Sequence, residues 1–209
     1  MNIAEQGMAA YLGEDVLKYF RQITIGIAGA GGLGSNCAMH LVRSGFVRLV
    51  ISDFDMVEPS NLNRQFYFLN QVGMAKVDAL SENLWAINPD ARITAHNLRI
   101  DKGNAADLFA DCDVVVEALD DPAAKKMLAE AMLMQNKLFV AASGMGGCGR
   151  ADAIVTRRLR DDFILVGDME TECGATAPPL APMVGVAAAK QADAVLAHVL
   201  DRYMEEHHD

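Results

Sequence analysis

The stretch "ITIGIAGAGGLGSN", residues 23–36, decides the fold. Its first six residues form a short apolar run and read as a buried strand. Gly29-x-Gly31-x-x-Gly34 follows, with a fourth glycine at 32. Gly29 permits a tight strand-to-helix turn, Gly31 leaves room for a phosphate to approach the backbone, and Gly34 lets the next helix pack closely on the sheet. That helix reads over 32–44, with Leu33, Cys37, Leu41 and Val42 on one face. Its N-terminus offers unpaired N–H groups and a partial positive charge to an anion. A second strand, 47–53, ends on Asp53, nineteen residues after Gly34, where a carboxylate can accept bonds from ribose hydroxyls. No Lys-Ser/Thr pair follows the glycines, so this is not a P-loop, and a triphosphate must find its positive charges elsewhere.

Outward from that turn, a short helix over 14–20 precedes the first strand. A helix over roughly 73–87 stops before Asn88-Pro89, because proline disfavours helix in its predecessor. "ARITAHN" (91–97) alternates as a strand, and "KGNAADLFA" (102–110) is a helical crossover. "DVVVEAL" (113–119) is an apolar strand, Pro122 suits the first turn of the next helix, and "KLFVAAS" (137–143) is another strand. The order β-α-β-α-β-α-β-α-β predicts an α/β fold: a Rossmann-like, mostly parallel sheet with helices on both faces. Beyond 144, "ADAIVT" and "DFILVGD" read as an antiparallel pair of edge strands, a smaller antiparallel extension in the C-terminal third. "GATAPPLAP" is extended, a helix spans about 183–202, and "MEEHHD" is a solvated tail. The expected organisation is a single domain over 1–209: an N-terminal helical segment (1–21), a nucleotide-binding core (22–144) and a C-terminal extension (145–202).

The 209 residues are 52% hydrophobic, enough to bury a sizeable core. A formal charge of −10 repels phosphate backbones and argues against a nucleic-acid partner. The chain shows no run of about 18 apolar residues, so no membrane span is expected. No basic segment precedes an apolar core at the N-terminus, and the expected location is the cytoplasm. Four cysteines, none in a C-x-x-C pair, suit neither a disulfide scaffold nor a zinc ribbon.

The loop "DFDMVEPSNLNRQ" (53–65) supplies the missing charges. It resembles the signature of the ubiquitin-activating superfamily, and more closely that of the bacterial ThiF/MoeB enzymes. The matching residues are Gly29-Ala30-Gly31-Gly32-Leu33-Gly34, Asp53-Phe54-Asp55, Ser60-Asn61-Leu62-Asn63-Arg64-Gln65, Lys76, and Asp120 after the apolar strand. The resemblance runs from about residue 22 to the last helix. It implies adenylation of a small β-grasp sulfur carrier with a C-terminal Gly-Gly (ThiS-like), using ATP and Mg²⁺, by a homodimer. It implies that Gly29, Gly31, Gly32 and Gly34 cradle the nucleotide and Asp53 holds the ribose. Asn61 hydrogen-bonds phosphate, Arg64 offers a forked set of donors, Lys76 offers a point charge, and Asp120 is a hard ligand for Mg²⁺. The chemistry agrees with the match: a carboxylate must attack an anionic α-phosphate, so aimed positive charge should supply much of the acceleration. Outside the motif each residue has a plainer role. Arg64 would pair Asp53 or Glu58 on the surface, Lys76 would be a solvated helix residue, and Asp120 or Asp121 would cap the helix at Pro122.

Members of this family often carry two C-x-x-C pairs for zinc; this chain has neither, so no structural zinc is expected. Cys173, before Ala181-Pro182-Met183-Val184-Gly185, matches a family cysteine that joins the activated carrier through sulfur chemistry, a possible sulfur-transfer thiol here. The flanking Glu170 and Glu172 are expected to raise its pKa. Cys37 reads as core, and Cys112 and Cys148 as packing or loop residues. The family's N-terminal arginine arm is replaced by "MNIAEQGMAAYLGEDVLKYFRQ", with Arg21 close to the first strand. His40, His96 and His198 read as satisfied surface or core-edge residues; His207 and His208 fall in the tail. Alternatives within the class are a MoaD-type molybdopterin carrier as substrate, or a tRNA-modifying cyclase, against which the charge of −10 argues. Outside it stand an NAD(P)-dependent oxidoreductase, which the glycine turn and Asp53 would serve equally, and a non-catalytic nucleotide-fold module.

Overall fold

The computed structural model describes residues 1–135 and 137–207. His208 therefore lies outside the described residues. Seven strands form one sheet: β1 (Thr24–Ala28), β2 (Arg48–Ser52), β3 (Arg92–His96), β4 (Val114–Glu117), β5 (Leu138–Ala142), β6 (Val155–Arg160) and β7 (Phe163–Gly167). Their order is β3-β2-β1-β4-β5-β7-β6, parallel except for the antiparallel pair β6–β7. The expected Rossmann-like sheet with its antiparallel extension is therefore present. β7 is not an edge strand. It pairs with β5 in parallel, so β6 alone carries that edge.

Helices cover both faces, as buried strands require. Val114 and Val116 of β4, and Leu138, Val140 and Ala142 of β5, face a core shared with α3 (Gly32–Arg43), α4 (Lys76–Ile87) and α7 (Ala181–His207). The intervening Val115, Phe139 and Ala141 face a second core with α5 (Ala105–Leu108) and α6 (Pro122–Met132). This is the two-residue alternation of a pleated strand buried on both sides. In α3 the predicted face of Leu33, Cys37, Leu41 and Val42 is the buried one.

Several boundaries differ from expectation for identifiable reasons. The crossover over 102–110 holds only one helical turn, Ala105–Leu108. α4 begins at Lys76 because residues 73–75 are used in pairing: Gly73 N–H donates to Val57 O (2.9 Å), and Ala75 bridges Met56. Residues 151–153 form a 3-10 turn, and β6 begins at Val155. The last helix continues to His207, past the predicted end. Tyr19 of α2 (Glu14–Phe20) donates its hydroxyl to Glu206 (3.2 Å), Tyr203 stacks on His207 (4.3 Å), and Arg202 pairs with Glu206 (3.6 Å). α7, with 27 residues and mean hydropathy 1.3 over its most apolar window, is long and apolar enough to cross a membrane by length and composition. In the fold it is a core helix: Ala187, Ala188, Gln191, Val195 and Val199 are buried against α3 and the sheet.

At the N-terminus α1 (Ile3–Leu12) opens with a capping box between Asn2 and Glu5. Glu5 is buried and ion-paired to Arg21, so Arg21 fastens this chain's own first helix.

His40 on α3 and His198 on α7 are half-buried. Desolvation lowers both imidazole pKa values, helped by Arg43 at His40 and by Arg202 and Arg158 at His198, with Asp201 and Glu205 opposing. The unfolded chain therefore takes up these two protons before the folded one does. The stability held by the neutral rings is complete above about pH 6.5 and declines as pH falls through the lower folded values. Thermal melts should show Tm dropping between about pH 7 and about pH 5, with a shallower drop in the His40→Gln/His198→Gln double variant. A pH profile identical in that variant would show that the two rings play no part.

Candidate functional site

The glycine turn is assembled by contacts from distant sequence. Gly29 has φ 97°, which favours glycine, and its N–H donates to Ser52 O at the end of β2 (2.8 Å). Ala30 N–H donates to the Asp53 carboxylate (2.7 Å), and Asp55 N–H donates to its other oxygen (2.8 Å). Asp53 thus ties the turn to the β2 end, while each oxygen keeps lone-pair capacity for a further donor. On the other side Ala118 O lies 2.7 Å from where a Gly29 Cβ would sit. The carboxyl ends of β1, β2 and β4 converge here, which is where ligands bind open α/β sheets.

The 53–75 loop is stapled to α3 by the two polar residues that follow the glycines. Asn36 Nδ2 donates to Gly32 O (2.7 Å) and Arg64 O (2.8 Å). Ser35 Oγ donates to Gly31 O (2.6 Å) and accepts from Phe66 N–H (2.9 Å). Arg64 is thereby laid over the N-terminus of α3, its Cγ and Cδ 3.6 and 3.8 Å from the Cβ that Gly32 lacks. Its guanidinium donates to Ser60 O (3.2 Å) and Asn63 Oδ1 (2.8 Å) and pairs with neither Asp53 nor Glu58. Asn61 is buried in the 3-10 turn Pro59–Asn61; its Oδ1 accepts from Glu58 N–H (3.0 Å), and its Nδ2 donates to Ser60 Oγ (3.4 Å).

Lys76 is not a solvated helix residue. It is 6% exposed, and its ammonium pairs with Asp55 (2.7 Å), two residues past Asp53. Asp120 is exposed and carries no hydrogen bond or ion pair among the described residues. It follows Ala118 and Leu119, which abut Gly29. Asp121, rather than Asp120, caps α6 by accepting from Ala124 N–H (2.7 Å). Among the described residues no group of three His, Cys, Asp or Glu side chains converges as a metal cage.

The 168–180 segment arches beside this crevice. Met145 N–H donates to Thr171 O (3.1 Å), Gly147 N–H to Pro178 O (3.0 Å), and Asn63 Nδ2 to Pro179 O (3.5 Å). The segment places Cys173 within the fields of Arg64 and Lys125. Cys173 is exposed, yet neighbouring groups desolvate it enough to raise the thiol's pKa; Arg64 and Lys125 pull it back, and Asp168 adds to the rise. Glu170 and Glu172, expected to cause that rise, do not; Glu170 instead faces Arg150 at 3.6 Å.

Sequence reading passed over Glu117 and Tyr67, and named Gln65 in the motif without giving it a role. Glu117, 1% exposed at the end of β4, receives Lys125 Nζ on both oxygens (2.8 Å each), and Lys125 also donates to Ala142 O (3.1 Å). Burial pushes the Glu117 carboxyl up, and Lys125 and the Leu119 N–H pull it back. The signal was one acid inside the apolar run "VVVEAL". Gln65, 8% exposed, turns Nε2 toward Gly31, while its Oε1 is enclosed with no partner among the described residues. Tyr67, 5% exposed, reaches the glycine turn itself.

The model of the ThiF family matches residues 4–208. The chain belongs to the ThiF family. Among the curated relatives of this ThiF family member, the probable adenylyltransferase/sulfurtransferase MoeZ of Mycobacterium tuberculosis is 34% identical over 130 residues, covering 62% of this chain and 33% of the relative. Ubiquitin-like modifier-activating enzyme 5 of Caenorhabditis elegans is 30% identical over 177 residues, covering 79% of this chain and 40% of the relative. The chain thus spans about a third to two-fifths of the length of these curated relatives. Among solved structures, the E. coli tRNA N6-threonylcarbamoyladenosine dehydratase TcdA in complex with AMP superposes with a TM-score of 0.86. It is 21% identical, and the match covers 96% of this chain and 95% of that one. That likeness shows the ThiF fold.

Proposed function

We propose that this ThiF-family chain adenylates the C-terminal glycine carboxylate of a small ubiquitin-like sulfur carrier of the ThiS type, releasing pyrophosphate, in the biosynthesis of the thiamine thiazole. The supporting observation is that Asp53, through its bond to Ala30 N–H, and the aliphatic stem of Arg64, against Gly32, both lie at the glycine turn and α3 N-terminus, at the carboxyl edge of the sheet. A carboxylate oxygen of the carrier attacks the α-phosphorus of ATP, the new O–P bond forms, and the bond to the β-phosphate breaks. Two anions must meet. The α3 N–H groups and Arg64 meet the phosphate oxygens with fixed donors, and the Asn61 amide adds a donor without charge. Lys76, held at the rim by Asp55, supplies a second cation; its ammonium has three protons, and one carboxylate does not exhaust them. Asp53 receives the ribose hydroxyls.

The donor chemistry suits Mg²⁺ at Asp120. An exposed carboxylate just past a strand end, with no protein cage among the described residues, suits an ion completed by substrate phosphates and water. When bound, Mg²⁺ would neutralise phosphate charge. Cys173 is the candidate thiol for the sulfur step, and attack on the acyl-adenylate would form a thioester and release AMP. The chain would act in the cytoplasm as a homodimer.

ATP–pyrophosphate exchange with purified carriers tests this reading. Exchange is expected with a ThiS-type carrier and not without one. Exchange only with a MoaD-type carrier would reassign the substrate. ATP binding with no exchange on any Gly-Gly carrier would leave a non-catalytic module, and NAD binding without ATP binding would make the chain an oxidoreductase.

A further inference from the structure

Tyr67 sits in the core between the glycine turn and α4. Its hydroxyl, a single proton donor, faces two backbone carbonyls: Ala30 O at 2.6 Å and Lys76 O at 3.3 Å. The Ala30 N–H is held separately by Asp53 (2.7 Å). The peptide between Ala30 and Gly31 is planar and trans, so its C=O and N–H point in opposite directions. With the Ala30 carbonyl turned inward onto Tyr67, the Gly31 N–H is turned outward, and it has no acceptor among the described residues. Rotation of this peptide would change ψ at Ala30 and φ at Gly31; alanine has allowed basins at more than one ψ, and glycine tolerates either sign of φ at little steric cost. Sterics therefore do not fix the direction of that N–H; the hydroxyl of Tyr67 does. Burial, with Asp53 and Asp55 close by, holds the phenol's pKa far above its ordinary value, so it remains a donor at every working pH.

We infer that Tyr67 is a positioning residue for nucleotide phosphate: it locks the Ala30–Gly31 peptide with the Gly31 N–H facing the crevice, and joins that peptide to the first residue of the helix bearing Lys76. This rests on the adenylation reading above and adds to it a group that never touches the nucleotide.

Tyr67→Phe removes the hydroxyl and keeps the ring in the core. Calorimetric Kd values for ATP and for adenosine, and the kcat and KM of ATP–pyrophosphate exchange, separate the possibilities. The expected result is about a tenfold weaker ATP Kd and a matching rise in KM, with adenosine Kd and kcat within about twofold of wild type. An unchanged ATP Kd would overturn the assignment. So would an equal loss of ATP and adenosine binding, which is what general loosening of the fold produces. A wild-type chain that binds no ATP refutes the nucleotide reading itself, and the role of Tyr67 falls with it.

Discussion

Arg64→Ala is expected to lower carrier-dependent ATP–pyrophosphate exchange by about a thousandfold while leaving the protein folded. The side chain is half-exposed, and among the described residues its guanidinium bonds only two groups of its own loop, Ser60 O and Asn63 Oδ1. Losing those bonds costs about 1 kcal/mol of stability or less. The anchors that place the loop survive, because Asn36 grips the Arg64 carbonyl and Ser35 grips the Phe66 N–H. What disappears is a forked, charged donor whose stem packs on the first residue of α3, and on the proposed reading it is the group that meets phosphate charge. Arg64→Lys should recover only a small part of the activity, because an ammonium keeps the charge and loses the two-pronged geometry. Unaltered turnover in the alanine variant, with the melting curve preserved, would remove Arg64 from the chemistry.

Gly34→Ala is expected to unfold far more readily, while Gly31→Ala stays folded and loses ATP. A Cβ at position 34 would lie 1.8 Å from Gly29 O and 2.9 Å from Gly29 C, both backbone atoms of the turn. No flexible side chain can yield there, so α3 must lift from β1. We expect a loss of about 3 kcal/mol or more, a drop in Tm of about 6–12 °C for a chain of this size. Position 31 has φ −79°, outside the left-handed region that requires glycine, and the nearest atom to an added Cβ is Gln65 Nε2 at 3.9 Å. That methyl would stand where, on the proposed reading, a nucleotide phosphate approaches the backbone. Paired melting curves and ATP titrations decide the matter. A Gly34→Ala protein as stable as wild type would deny close helix–strand packing, and normal ATP affinity in Gly31→Ala would move the phosphate away from residue 31.

Much of the fold was legible along the chain because each strand carries its own pattern. "DVVVEAL" and "KLFVAAS" are apolar throughout, as strands buried on both faces must be, and glycine or proline marks several of their ends. Element ends were less legible. Nothing local in "MEEHHD" shows that Tyr19 will reach Glu206 and extend the last helix. The site divides in the same way. Arg64, Asn61, Asp53 and Lys76 stand in a recognisable spaced motif. Glu117 and Lys125 lie eight residues apart on different elements, and their pairing depends on α6 crossing the end of β4.

The sequence by itself determined the order of strands and helices and the glycine turn with its following acid. These are near-neighbour properties, set by backbone sterics and by the periodicity of apolar residues. The tertiary structure decided which groups meet: Lys76 on Asp55, Lys125 on Glu117, the Arg64 stem on Gly32, and the Tyr67 hydroxyl on Ala30. The reason is physical. Such a contact depends on the three-dimensional path of several elements at once. Its strength also depends on burial, which no single stretch of chain controls.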